Sequence, residues 1–331
     1  MDINWENLIT KFTQLGGTVE NICQKQGKNG RGIFSINKNK KSKIYIPKTL
    51  LININDIEEN NGELNLKSGS KYSKEIKEFF YLYEKDFSWG MGGKEITMHF
   101  EESLKLLPSK VKQLIKNNLA IDLFTRYRDK WEEVILKEFL NSRKFYFAGE
   151  NKIAPILELV NHENHAQPYI KTESGLSTPN YEPMEGEITH SYGYRSPIKR
   201  LFEYGFFSKE SIVFSIPFSL EIKKDNTSLI CYGEELFNDL MISKLTTNNI
   251  NVKGFPIADK NYPLLPEKYL ERFIHKNNLE VSHKDLLRRI KVLNIKKREE
   301  VLLEINNINN YASKLIKQCL NYELNLIRKN D

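Results

Sequence analysis

Ala154-Pro155-Ile156-Leu157-Glu158-Leu159-Val160-Asn161-His162 is an apolar stretch that ends abruptly in two side chains rich in hydrogen-bonding capacity. Burying such a pair without partners costs roughly 1–3 kcal/mol per group, so its place at the end of a buried run implies a specific contact. Two further irregular pieces flank it. Upstream, Gly30-Arg31-Gly32-Ile33-Phe34 enters a β-rich run, and its glycines let backbone approach a ligand and take positive φ. It lacks the third glycine of a dinucleotide fingerprint. Downstream, Gly186-Glu187-Ile188-Thr189-His190-Ser191-Tyr192-Gly193 is followed by Leu201-Phe202-Glu203-Tyr204-Gly205-Phe206, so that a strand-like run and a tight glycine place two tyrosines, each an apolar wall with a polar tip.

Around these pieces the pattern alternates between helix and strand. Trp5, Leu8, Ile9 and Phe12 are spaced for a short amphipathic helix over residues 2–14. Ile33–Ile36 and Lys43–Ile46 read as strands flanking a polar run, Asn37-Lys38-Asn39-Lys40-Lys41-Ser42-Lys43, which suits a solvated hairpin tip. Helical spacing returns between about 73 and 140, with faces on Val111, Leu114, Ile115 and Leu119 and on Trp131, Val134, Ile135 and Phe139. Residues 144–218 are short apolar pieces broken by Gly, Pro and Asn, a compact β region. The rest, from about 210, reads as helical. Ser282–Asp285 fits a capping box, and Val301, Ile305, Ile308, Ala312, Leu315, Cys319, Tyr322 and Leu326 form a seam that predicts one long helix. The seam could pack within the chain or across a dimer. Asparagines at neighbouring positions favour the first, hence a monomer.

Composition narrows the function classes. The 331 residues, 40% of them hydrophobic, suffice for a sizeable core with a smaller appended domain. No long apolar run marks a signal or a span, so a cytoplasmic location and no membrane partner are expected. Cys23, Cys231 and Cys319 lie far apart and read as core fillers. The net charge of +7 comes mostly from scattered lysines, which argues against a nucleic-acid surface. A zinc site on His162, His165 and His190 is disfavoured, because His162-Glu163-Asn164-His165 is one residue short of the helical His-Glu-x-x-His spacing. His99, His275 and His283 read as surface or cap residues.

Taken in order, the Gly-x-Gly turn, Arg143 in Asn141-Ser142-Arg143-Lys144-Phe145, the Asn-His pair, the Tyr-Gly and the Tyr-Gly-Phe resemble the SET domain of protein methyltransferases. The branch is the one that includes the Rubisco large-subunit methyltransferases. The resemblance implies an α+β fold: an N-terminal helix over 1–16, a SET domain of short strands with a pseudoknot over 17–208, a helical insertion at about 71–140, and an α-helical substrate-binding domain over 209–331.

It also implies an enzyme that transfers a methyl group from S-adenosyl-L-methionine to a protein or peptide substrate, without metal. In this correspondence Gly30, Arg31 and Gly32 cradle the methionine part of the cofactor and Arg143 holds its carboxylate. Asn161 and His162 contact its adenine and amino-acid ends, and Tyr192 sits at the transferring methyl as the catalytic residue. Tyr204 walls the substrate channel, with Tyr169 nearby. Tyr204 in Tyr-Gly-Phe is the pattern of lysine methylation; the alternatives are histidine methylation and an inactive protein-binding module. Glu158 stands where aspartate is usual, and Pro197 where asparagine is frequent. On the last helix, Lys314 and Lys317 are expected on an exposed, substrate-recruiting face.

Overall fold

The structure is a computed structural model and describes residues 3–27, 30–179, 181–222, 227–233, 244–246 and 249–329. It is an α+β protein of short strands with a helical C-terminal region. By packing, the chain forms two compact units, residues 1–97 with 135–193 and residues 98–134 with 194–331. This division crosses the one drawn from sequence at 208/209.

The first unit is built on the predicted opening helix, Ile3–Gln14, which buries Trp5, Leu8 and Phe12. The chain then turns so tightly that a Cβ on Gly17 would meet the Phe12 ring at 2.3 Å. Two four-stranded sheets follow. One has the order Thr18–Glu20, Lys43–Pro47, Gly175–Ser177, Ile170–Thr172; the other has the order Asn161–His162, Glu187–His190, Gly30–Ser35, Ile22–Gly27. The lysine run is therefore not a hairpin tip: the strands it joins lie in different sheets. Asn21, at φ 55°, shapes the loop from below, donating to the carbonyls of Asn37 and Lys40 and accepting from the Asn37 amide.

Helix Lys74–Phe87, capped by Ser73, packs Phe79, Tyr83 and Phe87 into this unit's core. The inserted helices continue over Lys94–Lys105, Ser109–Leu119, Leu123–Arg126 and Trp131–Arg143, as the spacing predicts.

The second unit holds the expected helical region from Leu265 onward, but strands come first. Ile212–Phe214 pairs with Pro256–Asp259, and Phe218–Ile222, Thr227–Cys231, Asn249–Val252 and Lys244–Thr246 form a sheet. The β-branched and aromatic residues Ile212-Val213-Phe214 are all buried and suit a covered strand better than a helix stripe. The long seam is two helices, His283–Ile305 and Tyr311–Lys329. The asparagines between them break it: the Asn310 side chain accepts from the Ser313 amide, a cap that starts a new helix. Lys317 is engaged at the same break, donating to the carbonyls of Asn306 and Ile308, and so is not the free surface charge expected.

This unit is locked by a buried ion pair. Arg298 and Glu323, both fully buried, meet at 2.6 Å; Arg298 also donates to Asn294 and the Phe214 carbonyl, and Glu323 accepts from the Ile198 amide.

Candidate functional site

The segment 154–162 is the one from which the candidate site is built. Its backbone is bent sharply at Ile156, held at φ 71° and ψ −47°. That setting costs a β-branched residue of the order of 1–3 kcal/mol and is tolerated because Ile156 is wholly buried. The 3-10 turn Leu157–Leu159 follows, and then the two-residue strand Asn161–His162. That strand pairs in parallel with Glu187–His190, matching Asn161 to Thr189 and His162 to His190. Pairing of strands so far apart in sequence carries the Asn-His pair alongside the run that leads to Tyr192.

Asn161 is committed on its amide nitrogen, which donates to the Arg31 carbonyl at 2.9 Å and to Glu187 Oε1 at 2.6 Å. The Gly-x-Gly segment, which the structure makes the start of strand Gly30–Ser35 and not a turn, and the Asn-His pair thus meet at one side chain. Gly32 leaves room for that meeting, since a Cβ there would lie 2.2 Å from Glu187 Oε1 and 2.7 Å from Asn161 Nδ2 and would push the two side chains from their present places. Gly30, at φ 95°, borders open space. The hairpin end is therefore tight on one side and accessible on the other.

His162 is pinned at both nitrogens. Nδ1 accepts from the Tyr192 amide at 3.0 Å, which requires the Nε2–H tautomer, and Nε2 then donates to Asn164 Oδ1 at 3.0 Å. Tyr192 donates its hydroxyl to the Val160 carbonyl at 3.1 Å, and Tyr169 donates to the Leu157 carbonyl at 2.6 Å. Two tyrosines thus hold the turn that precedes Asn161. His190 stacks on Tyr169 and lies 4.6 Å from the Tyr192 ring.

Beneath this lies a polar cluster that sequence reasoning missed. Glu158 Oε1 accepts from Tyr83 at 2.6 Å, from Ser88 at 3.2 Å and from Arg143 at 3.4 Å. Glu84, buried beside them, accepts the Trp89 amide on Oε2. Glu84 Oε1 and Glu158 Oε2 are both buried without a hydrogen-bond partner.

Burial and the Glu158 carboxylate push the Glu84 carboxyl up to about 8. Burial also raises Glu158, against the pull of Arg143. Burial alone would lower Arg143, but Glu158, Tyr83 and Glu84 outweigh it and hold its guanidinium charged. Arg31 is lowered by burial and then by Arg143; it donates to the Phe87 carbonyl at 3.2 Å, at the C-terminal end of helix Lys74–Phe87. The inserted helix is thereby tied to the strand that begins with the Gly-x-Gly segment. The signals for this cluster were an acid inside an apolar run, Glu158, and an acid beside a phenylalanine-rich helix face, Glu84.

Tyr204 belongs to the second unit. It is not placed by a strand-like run: it ends the helix Pro197–Tyr204, which Gly205 caps at φ 78°. Proline at the first turn after Ser196 and glycine just past the end carry that helix, the readable signal for it. The Tyr204 ring faces the Arg200 guanidinium 5.1 Å away, and burial raises its phenol. Among the described residues, no group of three or more His, Cys, Asp or Glu could hold a metal ion, and no helix is long and apolar enough to cross a membrane.

No protein-family model matches the chain, and no curated protein does. Among solved structures it is similar to Rubisco LSMT bound to AdoMet, at 13% identity over 100% of this chain and 91% of that one, with a TM-score of 0.45. The SET domain of LSMT bound to lysine and AdoHcy matches at 13% identity over 99% and 90%, with a TM-score of 0.42. Rubisco LSMT bound to sinefungin and monomethyllysine matches at 11% over 99% and 90%, with a TM-score of 0.41.

Proposed function

We propose that this chain is an S-adenosyl-L-methionine-dependent protein methyltransferase of the SET type that acts on a lysine side chain. The observation that carries the reading is the hydrogen bond from Asn161 to the Arg31 carbonyl, which joins the Gly-x-Gly segment to the Asn-His pair, with His162 in turn holding the Tyr192 backbone. The residues present fit such a cofactor. Gly30, at the start of its strand with open space where a side chain would be, suits close backbone approach, Arg143 offers a charge for a carboxylate, and one buried oxygen on each of Glu84 and Glu158 has no hydrogen-bond partner.

Gly30, Arg31 and Gly32 would hold the methionine part, Arg143 its carboxylate, Asn161 and His162 the adenine and amino-acid ends, and Tyr192 the region of transfer. When bound, the cofactor supplies an electrophilic methyl group on a cationic sulfonium. The chain's own residues then have to position and dry the incoming amine, since displacement at carbon needs a neutral nitrogen lone pair in line. Tyr192, anchored on the Val160 carbonyl, presents a rigid ring for this. Val160, Leu157 and Ile156 are buried and exclude water beneath it. Desolvation lowers the pKa of a lysine entering such a site, and aromatic faces tolerate its cationic methylated product. Tyr169 and Tyr204 are assigned to the substrate side, Tyr204 through its Tyr-Gly-Phe motif.

Calorimetry on the purified chain should show one molecule of S-adenosylmethionine or S-adenosylhomocysteine bound per chain. Absence of binding by both would overturn the reading. Incubation with labelled cofactor and a protein lysate, followed by mass-spectrometric mapping, should then find methyl-lysine; methyl-histidine alone would replace lysine as the target and direct attention to Tyr204→Asn.

A further inference from the structure

The parallel pairing of Asn161–His162 with Glu187–His190 sets His162 against His190 in register. Side chains alternate between the two faces along a strand, so a slip of one residue in either strand would turn one imidazole away from the other. The Tyr192 ring meets both. Its centroid lies 5.0 Å from that of His162 and 4.6 Å from that of His190, with planes inclined by 40° and 46°. His162 also holds Tyr192 by a hydrogen bond, accepting its amide on Nδ1. His190 meets it ring against ring. The His190 side chain is buried, and its second ring neighbour is Tyr169, stacked on it at 3.6 Å with 21° between the planes.

One imidazole thus touches the two tyrosines that the functional reading needs in a fixed relation, Tyr192 at the region of transfer and Tyr169 on the substrate side. Their tips are fixed already. The Tyr169 hydroxyl donates to the Leu157 carbonyl and the Tyr192 hydroxyl to the Val160 carbonyl, so both phenols hang from the same bent segment. A bond at the hydroxyl fixes the tip of a phenol but not the plane of its ring, because the last torsion of an aromatic side chain is broad. Close packing of a flat group against the ring removes that freedom. The backbone keeps His190 in step with the loop that leads to Tyr169: the Glu163 amide donates to the His190 carbonyl at 3.0 Å, and the Ser191 amide to the Gln167 carbonyl at 3.3 Å.

We propose that His190 is a positioning residue, whose ring, packed against both Tyr169 and Tyr192, fixes the spacing and planes of the two phenols so that the incoming amine meets the methyl group in line.

The inference rests on the methyltransferase reading for the reaction and on the ring geometry for the role. His190 touches neither substrate nor cofactor in it. What it supplies is orientation, and a misplacement of about 1 Å can cost roughly a hundredfold in rate. Removing the imidazole would leave a cavity beside two rings that are then able to tilt into it.

Two substitutions separate the ring from its nitrogens. His190→Ala removes the packing surface, whereas His190→Phe restores a flat ring that neither ionises nor hydrogen-bonds. Transfer of labelled methyl from S-adenosylmethionine into lysate protein and calorimetric affinity for S-adenosylhomocysteine are measured for the parent and both variants. His190→Ala should lose transfer by roughly ten- to a hundredfold with affinity within about twofold of the parent, and His190→Phe should regain most of the transfer. A loss that phenylalanine does not restore would assign the role to the nitrogens and overturn the inference. So would unchanged transfer in His190→Ala, or a loss of transfer and affinity together, which would make the residue a support of the whole pocket. A parent that binds no S-adenosylhomocysteine, or binds it and transfers no label, sinks the functional reading and takes the positioning role with it.

The ring contacts are checked without ligand. In NMR spectra of protein labelled on its tyrosine rings, the signals of Tyr169 and Tyr192 are assigned by their loss in Tyr169→Phe and Tyr192→Phe. An imidazole packed against both rings shifts their resonances, so both signals should move in His190→Ala. If either stays where it is in the parent, His190 does not join the two rings, and the inference fails while the functional reading stands.

Discussion

Tyr192 and Glu158 show how much a single side chain does here beyond its motif. Tyr192 is anchored twice, through its hydroxyl to the Val160 carbonyl and through its amide to His162 Nδ1. Its ring orientation is set before any ligand arrives. Replacing it by phenylalanine removes one hydrogen bond worth about 1 kcal/mol and leaves the amide contact in place, so the fold survives. For a hydroxyl that acts on the reacting groups, we expect Tyr192→Phe to lower methyl transfer by roughly a hundredfold while calorimetric affinity for S-adenosylhomocysteine stays near that of the parent. Equal turnover by the two proteins would move the reacting centre elsewhere. His162 is also a strut: both ring nitrogens are bonded within the chain, and through Nδ1 it holds the Tyr192 backbone in place.

The element that most changes the picture is the pair of C-terminal helices. A seam with the right spacing on both sides of residues 306–310 reads as one helix, because periodicity is blind to a break that preserves phase. The cap formed by Asn310 and Ser313 decides the matter locally, and the turn lets the second helix fold back. Folding back is what brings Glu323 to Arg298, both fully buried and 2.6 Å apart. Removing one partner of such a pair strands the other charge in the core, at a cost of about 3 kcal/mol or more. Glu323→Gln should therefore lower the midpoint of urea unfolding by that equivalent with the slope unchanged. A shift below 1 kcal/mol would mean that the guanidinium finds other partners, such as Asn294 and the Phe214 carbonyl to which it already donates.

At the scale of the whole molecule, the proposed activity calls for a surface that recruits a protein substrate, and the net charge of +7 bears on it only through particular positions. Lys317 is tied to the turn before the last helix and would report on folding, whereas Lys314 is exposed. If the last helix contributes to docking, Lys314→Glu should raise the Michaelis constant for the protein substrate several-fold, more at low salt than at high, with cofactor affinity unaltered. An unchanged constant at low salt would exclude that face.

The sequence by itself determined the element types wherever one face is buried against a core: the opening helix with Trp5, Leu8 and Phe12, the inserted helices, and the buried Cys23, Cys231 and Cys319. It also marked most candidate site residues, because glycines in special conformations and polar groups ending an apolar run are local features with a local physical cause. The two-residue strand Asn161–His162, its parallel partner, and the gathering of Tyr83, Glu84, Arg143 and Glu158 were decided only by the tertiary structure. Those groups come from segments separated by tens of residues, and nothing in local spacing encodes which buried acid meets which arginine. Only closure of the core sets that, when each polar group must find a partner or lose its charge.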